Sequence, residues 1–496
     1  MCRKRLPNIV YILADDMGYG DLSCLNRDSK LKTEHMDRVA RQGLVCRDAH
    51  ASSAVCTPSR YSILTGRYAW RSRLKKGVTG GWTPHLIEEG RMTVASFLKA
   101  QGYDTACVGK WHLGLDWAKA GPACEDVDFA QPITMGPTAF GFDTFFGIAA
   151  SLDMPPYVYI ANDRVTALPD RVTKNGDAMA FWREGPTGSD FRHEEVLPKC
   201  TAKAVSYIER HAGGSDPFFL YFPLPAPHTP ILPTPEFQGR SGTNAYGDFV
   251  MMVDDVVGRV QAALEQSGLS EDTILIVTSD NGCSPRADFE GLAALGHHPS
   301  YRFRGYKADI YEGGHRIPLL VQWPARIKAG SVSDETVCLA DLLATCADLY
   351  GMRLPADAGE DSVSNLPVWL GAEYAAPLRE ATVHHSIDGS FSIRKGKWKL
   401  EMCPGSGGWS APRPGKEPPG APPIQLYDLS ADIGEQRNVC AEQPAVVEEL
   451  TVLLTAYVRN GRSTPGHAQQ NTGPYHWSQL NWFAAEIFAR NDQMRG

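Results

Sequence analysis

Asn8-Ile9-Val10-Tyr11-Ile12-Leu13-Ala14, followed at once by Asp15-Asp16, is the stretch that decides the fold: a short strand-like apolar run closed by two carboxylates. The pattern returns three times. Residues 103–108 end at Gly109-Lys110, residues 218–223 lead to His228, and residues 273–278 end at Asp280-Asn281. Between these runs, residues 92–101, 194–211 and 246–266 carry apolar side chains at helical spacing and read as packing helices. Strands alternating with helices over roughly the first 350 residues of the chain predict βαβ units. The expected fold is α/β, with a large mixed, mostly parallel sheet sandwiched by helices. Open sheets of this kind hold ligands beyond the C-terminal ends of their strands, so four polar clusters far apart in sequence can converge on one site.

After about residue 370 the texture changes. Residues 392–400 read as a hairpin turning at Gly396, residues 403–423 are rich in Pro and Gly, residues 425–429 form another strand, and a helix is expected over 445–460. These segments predict a smaller C-terminal α+β subdomain with an antiparallel sheet. The expected division is 1–372 for the large domain and 373–496 for the small one. Tyr475, Trp477, Trp482 and Phe483 predict a tail packed on the body.

At 496 residues, with 43% hydrophobic and 21% charged, the chain has material for a large core and more than one domain. A net charge of −8 without a basic run argues against binding nucleic acid or an anionic membrane, and no apolar run approaches the ~20 residues of a membrane span. An anionic substrate therefore needs a local positive pocket. The basic start, residues 1–7, runs straight into a strand and lacks the layout of a secretory signal. This leaves the compartment open between the cytoplasm and an outer space reached with a leader since removed. Twelve cysteines without a C-x-x-C pair predict mostly free, buried thiols and disfavour a thiolate zinc site.

Cys56-Thr57-Pro58-Ser59-Arg60, followed by Leu64-Thr65-Gly66-Arg67, carries the chemistry. By itself the pentapeptide reads as a thiol beside a helix start with Pro58 at the first helical position. It also resembles the signature of type I formylglycine-dependent sulfatases, arylsulfatase-like members of the alkaline phosphatase superfamily, and in particular bacterial carbohydrate sulfatases. Gly109-Lys110-Trp111-His112-Leu113-Gly114, Pro225-Ala226-Pro227-His228-Thr229-Pro230, and Lys307 through Glu312-Gly313-Gly314-His315-Arg316-Ile317-Pro318 resemble further blocks of that family, in the expected order. Leu426-Tyr427-Asp428-Leu429 resembles its end-domain strand.

Asp15, Asp16, Asp280 and Asn281 are hard oxygen ligands suited to Ca²⁺ or Mg²⁺. The resemblance implies that these four, with Cys56 converted to formylglycine by a maturation enzyme, bind one divalent cation, usually calcium. It further implies that Lys110 and Lys307 bind sulfate oxygens and that His112 sits beside the nucleophile. His228 is then directed at the leaving-group oxygen, and Arg60 supports the transferring group. Hydrated formylglycine would attack sulfur, with Asp280 able to accept the proton. His228 would protonate the departing alcohol, and His112 would help expel sulfate by elimination.

The expected substrate is a sulfated saccharide of galactose or N-acetylgalactosamine type, attacked from a chain end. Trp70-Arg71-Ser72-Arg73, Trp82, His85, His193, His297-His298 and His315 are candidates for the rim, through stacking on sugar faces or pairing with a uronate or second sulfate. Two alternatives stand beside this reading: a phosphonate monoester or phosphodiester hydrolase, and a glycan-binding relative without turnover.

Overall fold

The computed structural model describes residues 6–474 and 476–482. Five parallel strands form the centre of a ten-stranded sheet, in the spatial order Thr273–Ser279, Asn8–Ala14, Phe218–Pro223, Asp104–Lys110 and Thr144–Ile148. Leu319–Gln322 pairs antiparallel beside Thr273–Ser279, and Leu44–Cys46 and Ser331–Ser333 complete that edge. Two short antiparallel strands, Ile160–Ala161 and Arg164–Val165, close the other.

Every residue of Asn8–Ala14 is buried, and its alternate side chains enter different cores. Ile9, Tyr11 and Leu13 meet the helices Cys56–Thr65, Val94–Ala100 and Leu342–Leu349, whereas Val10, Ile12 and Ala14 meet Glu34–Gln42, Val196–Arg210 and Ala245–Gln266. Burial on both faces is why the strand lacks polar alternation. Two of the packing helices start where side chains satisfy free amides. Thr93 and Ser96 form a capping box, and Asn244 accepts from the amides of Tyr246 and Gly247.

A four-stranded antiparallel sheet follows in sequence order, Thr382–His385, Phe391–Lys395, Trp398–Glu401 and Gln425–Asp428, turning at Gly396 with φ +56°. The helix Pro444–Arg459 packs on it through Leu450, Leu454 and Tyr457. Tyr68 and Trp70, from the first hundred residues, complete the same apolar cluster. Trp477 is buried there, and Trp482 meets Phe391 edge-on at 5.3 Å. Tyr475 and Phe483 lie outside the described residues.

Three local expectations need correction. The strand Asp104–Lys110 runs to Lys110 rather than ending at Val108, because Gly109 and Lys110 stay paired with Gly147 and Ile148. Pro58 is the third residue of its helix, not the first, since Cys56 itself opens the helix behind Val55. The exposed two-stranded ribbon Pro169–Asn175 and Trp182–Gly188 had no counterpart among the expected elements. The eleven described cysteines are all free, eight of them buried, and among the described residues no helix is long and apolar enough to cross a membrane.

Candidate active site

The polar residues collect where the parallel strands run out. Asp15-Asp16 follow Asn8–Ala14, Asp280-Asn281 follow Thr273–Ser279, Lys110 ends its own strand, and His228 lies on the loop after Phe218–Pro223. Asp16 (φ +68°) and His112 (φ +57°) adopt the left-handed conformation that non-glycine residues rarely take, a strain concentrated where the chain must turn at the site. Gly109 (φ +126°) has no alternative. A Cβ there would stand 2.0 Å from the Pro223 carbonyl oxygen, so only glycine lets these two strands run side by side up to Lys110.

Cys56, the first residue of a ten-residue helix with no side-chain cap, brings its thiol to this cluster. One ligand atom from each of Asp15, Cys56 and Asp280 lies within 4.8 Å of the others, and Asp15, Asp16 and His228 form a second such group. Lys110 Nζ donates to Asp15 Oδ2 at 2.5 Å, and Lys307 Nζ lies 2.7 Å from Asp16 Oδ1. Arg60 Nε donates to Asp280 Oδ2 at 2.9 Å, and Arg60 Nη1 to the Lys110 carbonyl at 2.8 Å. Asn281 Nδ2 donates to Asp16 Oδ1 at 2.7 Å, and His228 Nε2 stands 3.7 Å from Asp16 Oδ2. His112 Nε2 contacts the Thr79 carbonyl at 2.7 Å, leaving Nδ1 without a hydrogen-bond partner. All ten expected site residues are buried and belong to this one cluster or its wall.

The carboxylates respond to this crowding in opposite ways. Burial works against charge on Asp15, but Lys110, His228 and Arg60 outweigh it and hold the carboxyl well below its ordinary range. Burial and the neighbouring Asp15 push Asp280 up to about 7. Burial raises the Cys56 thiol against the pull of Lys110 and Lys307, so an unconverted cysteine here is a neutral, poor nucleophile. Burial, then Lys110 and Arg60, keep His112 well below the usual imidazole range.

The donor set fits a hard divalent cation. Among the described residues, buried Asp15 Oδ1 and Asn281 Oδ1 have no hydrogen-bond partner, an expensive arrangement for oxygens removed from water unless something cationic satisfies them. Three carboxylates and an amide oxygen make an oxygen-only shell of the calcium or magnesium kind.

A cavity of about 480 Å³ opens on the cluster through His228 and Lys307, and its wall was not the expected one. It is lined by Asp153, Phe181, Arg183, Arg286, Tyr306, Trp409 and Arg413. Of the residues expected at the rim, Trp70 and Arg71 are fully buried and paired with each other and with Asp361. Arg73 donates to the carbonyls of Pro84 and His85, whose imidazole is held by Asp116, and Trp82 packs near Trp117 and Phe129. His193 stacks on Trp182 at 4.0 Å, and buried His297 binds Asp21. His315 stacks on His384 at 3.9 Å. His298 is not part of the cavity wall. Apart from their nearness in sequence to matched blocks, as with Arg286 after Asn281 and Tyr306 before Lys307, the true wall residues carried no signal.

Comparison with known proteins places the chain in a family. The Sulfatase family profile matches residues 7–352. The chain is 36% identical to an N-acetylgalactosamine-6-O-sulfatase of Bacteroides thetaiotaomicron, over 90% of this chain and 92% of that protein. It is 33% identical to human arylsulfatase A, over 90% and 87% respectively. A solved structure from the metabolism of multiple glycosaminoglycans by Bacteroides thetaiotaomicron superposes with a TM-score of 0.80 at 35% identity, covering 91% of this chain and 99% of that one. The chain belongs to the sulfatase family and is a hydrolase of sulfate esters.

Proposed function

We propose that the protein removes a sulfate monoester from a sulfated glycan, with the 6-O-sulfate of a galactose- or N-acetylgalactosamine-type sugar at a chain end as its first substrate. The observation that carries this reading is the meeting of Asp15, Cys56 and Asp280 beside two buried lysines, in a chain 36% identical to an N-acetylgalactosamine-6-O-sulfatase. Asp15, Asp16, Asp280 and Asn281 would hold Ca²⁺, or Mg²⁺ in its place, and residue 56 would be the formylglycine made from cysteine by a maturation enzyme. Together these two groups supply fixed positive charge and a nucleophilic hydroxyl that water alone does not provide.

The chain's own residues do the rest. Lys110, Lys307 and Arg60 place cationic donors around the transferring sulfate, in a site from which burial excludes most water. His228, on the cavity side, hands a proton to the departing sugar oxygen. His112 is kept neutral, with Nε2 on the Thr79 carbonyl and Nδ1 left as a lone pair, so it can accept the proton whose loss releases sulfate.

The test is sulfate release from a panel of defined sulfated saccharides, by protein co-expressed with a maturation enzyme, compared with Cys56→Ser. Chelator is added to both and calcium restored, and mass spectrometry of the Cys56 peptide reports conversion. Turnover lost in Cys56→Ser and under chelator, and recovered with calcium, is the expected result. Activity confined to small aryl sulfates, faster cleavage of matched phosphonates, or indifference to both treatments overturns the proposal.

A further inference from the structure

The cavity wall carries charge that the catalytic cluster does not use. Of its three arginines, Arg183 is neutralised, its guanidinium bound to the Asp153 carboxylate and carbonyl. Arg286 and Arg413 are not. Among the described residues neither has a carboxylate within ion-pair distance. Arg286 has no side-chain hydrogen bond to any described residue and lies 5.9 Å over the Phe181 ring, which also carries Arg183 at 5.7 Å. Arg413 spends Nε on the Trp409 carbonyl at 2.7 Å, leaving its two terminal nitrogens without an acceptor among the described residues. Both arginines are exposed to the cavity mouth.

This is unusual company in a chain of net charge −8. Two guanidiniums, held from behind by an aromatic ring and a backbone carbonyl, turn free donors to one cavity, where an anion could take them. Guanidinium is the donor suited to carboxylate and sulfate, whose oxygens match its fork. The position is also telling, because the same cavity reaches His228 and Lys307. An anion at Arg286 and Arg413 would therefore be carried by the departing saccharide, not by the sulfate being cleaved.

Arg413 and Trp409 are set there by long-range contacts. The Trp409 amide donates to Asp309 Oδ1 at 2.8 Å and the Ile310 amide to the Ser406 carbonyl at 2.8 Å, laying the Pro/Gly-rich segment against the loop that bears Lys307. A Cβ on Gly408 would stand 2.4 Å from the Ala308 carbonyl, so the contact is too close for any residue but glycine. A 36%-exposed Trp409 face beside two arginines offers a sugar ring a stacking surface and its anion a pair of donors.

We infer that Arg286 and Arg413 form a subsite for a second anionic group on the leaving saccharide, so that the enzyme prefers a doubly charged substrate over a sugar bearing one sulfate. Two sources share this chemistry, a second sulfate on the same sugar and the carboxylate of an adjoining uronate. The inference rests on the glycan reading above.

The test uses the calcium-loaded, matured enzyme on three substrates: N-acetylgalactosamine 6-sulfate, the same sugar with a second sulfate, and a uronate-linked disaccharide of the 6-sulfated sugar. The measured quantity is the ratio of kcat/KM for each doubly charged substrate to that for the first. A ratio of about tenfold or more, residing mainly in KM and falling with added salt, is expected, since one charge-assisted hydrogen bond accounts for that much. The ratio should fall towards one in Arg286→Gln/Arg413→Gln and be partly restored by Arg286→Lys/Arg413→Lys. Whichever doubly charged substrate shows the ratio identifies the source. Turnover of the singly sulfated sugar with ratios near one, or ratios untouched by the double variant, overturns the subsite and leaves the glycan reading standing. Turnover of none of the three overturns both.

Discussion

Lys110 Nζ donates to Asp15 Oδ2 across 2.5 Å, with both side chains wholly buried. The lysine is the strongest of the cationic neighbours that keep this buried carboxylate charged, ahead of His228 and Arg60, and removing one partner of such a pair costs on the order of 3 to 5 kcal/mol. Lys110→Met should therefore lower the stability of the calcium-free chain by about 3 kcal/mol in urea unfolding, and Asp15→Asn in that background should recover part of the loss. Unchanged unfolding midpoints would show that the pair is dispensable. The matured Lys110→Met enzyme should also lose on the order of a hundredfold in kcat, as sites do when one charge-stabilising donor is removed.

Arg71 resembles a substrate-binding arginine in sequence, but its two nitrogens Nε and Nη2 each bind Asp361 at 2.8 Å, and Nη1 donates to the Tyr457 carbonyl at 2.9 Å. Arg71→Met should destabilise the fold by roughly 3 kcal/mol by leaving the Asp361 carboxylate unpaired. The KM of the surviving folded enzyme for a sulfated saccharide should stay within about twofold, a change too small for a lost charged contact. A large rise in KM with unchanged melting temperature would return Arg71 to the substrate.

Gly109→Ala combines a positive φ with a Cβ 2.0 Å from the Pro223 oxygen. Forcing the two strands apart should cost about 3 kcal/mol or more, and it should displace Lys110 next door, so kcat falls as well as stability. A variant with parental stability and kcat would show that the strands separate freely.

His385 is buried, neither ring nitrogen has a hydrogen-bond partner among the described residues, and burial lowers its imidazole to about 4. Because the folded value lies below the unfolded one of about 6.5, its contribution is fully present above pH 6.5 and is lost as pH falls through that window towards 4, by up to roughly 3 kcal/mol. His385→Phe should flatten the fall in stability between pH 7 and 5, measured by denaturant titration. An identical slope in parent and variant would show that His385 titrates alike in the folded and unfolded states.

The parts of the site legible in sequence were those written locally. Asp15-Asp16 and Asp280-Asn281 announce themselves as polar pairs closing apolar runs, and parallel-sheet geometry then brings the ends of neighbouring strands together without further instruction. Lys110 and His112 travel in one short block, as do Cys56 and Arg60 on consecutive turns of one helix. The hairpin at Gly396 was equally local, since a turn of two residues needs only its own chain. The ribbon Pro169–Asn175 and Trp182–Gly188 was missed because its alternation is mostly of polar residues, with no apolar face to mark a strand.

Trp70-Arg71 and Trp409 with Arg413 show where sequence stops. Both are tryptophan and arginine close together, and nothing in the residues separates a core pair from a cavity wall. Their fates were decided by partners far along the chain, Asp361 and Tyr457 for Arg71, and Asp309 for the segment that carries Arg413. The sequence by itself determined the α/β order of strands and helices, the strand ends that hold the acidic pairs, and a helix start beside Cys56. These follow from backbone hydrogen bonding and apolar periodicity over a few neighbouring residues. Only the tertiary structure decided which arginines are neutralised and which face the cavity, because charge pairing and exclusion of water depend on atoms brought together through space.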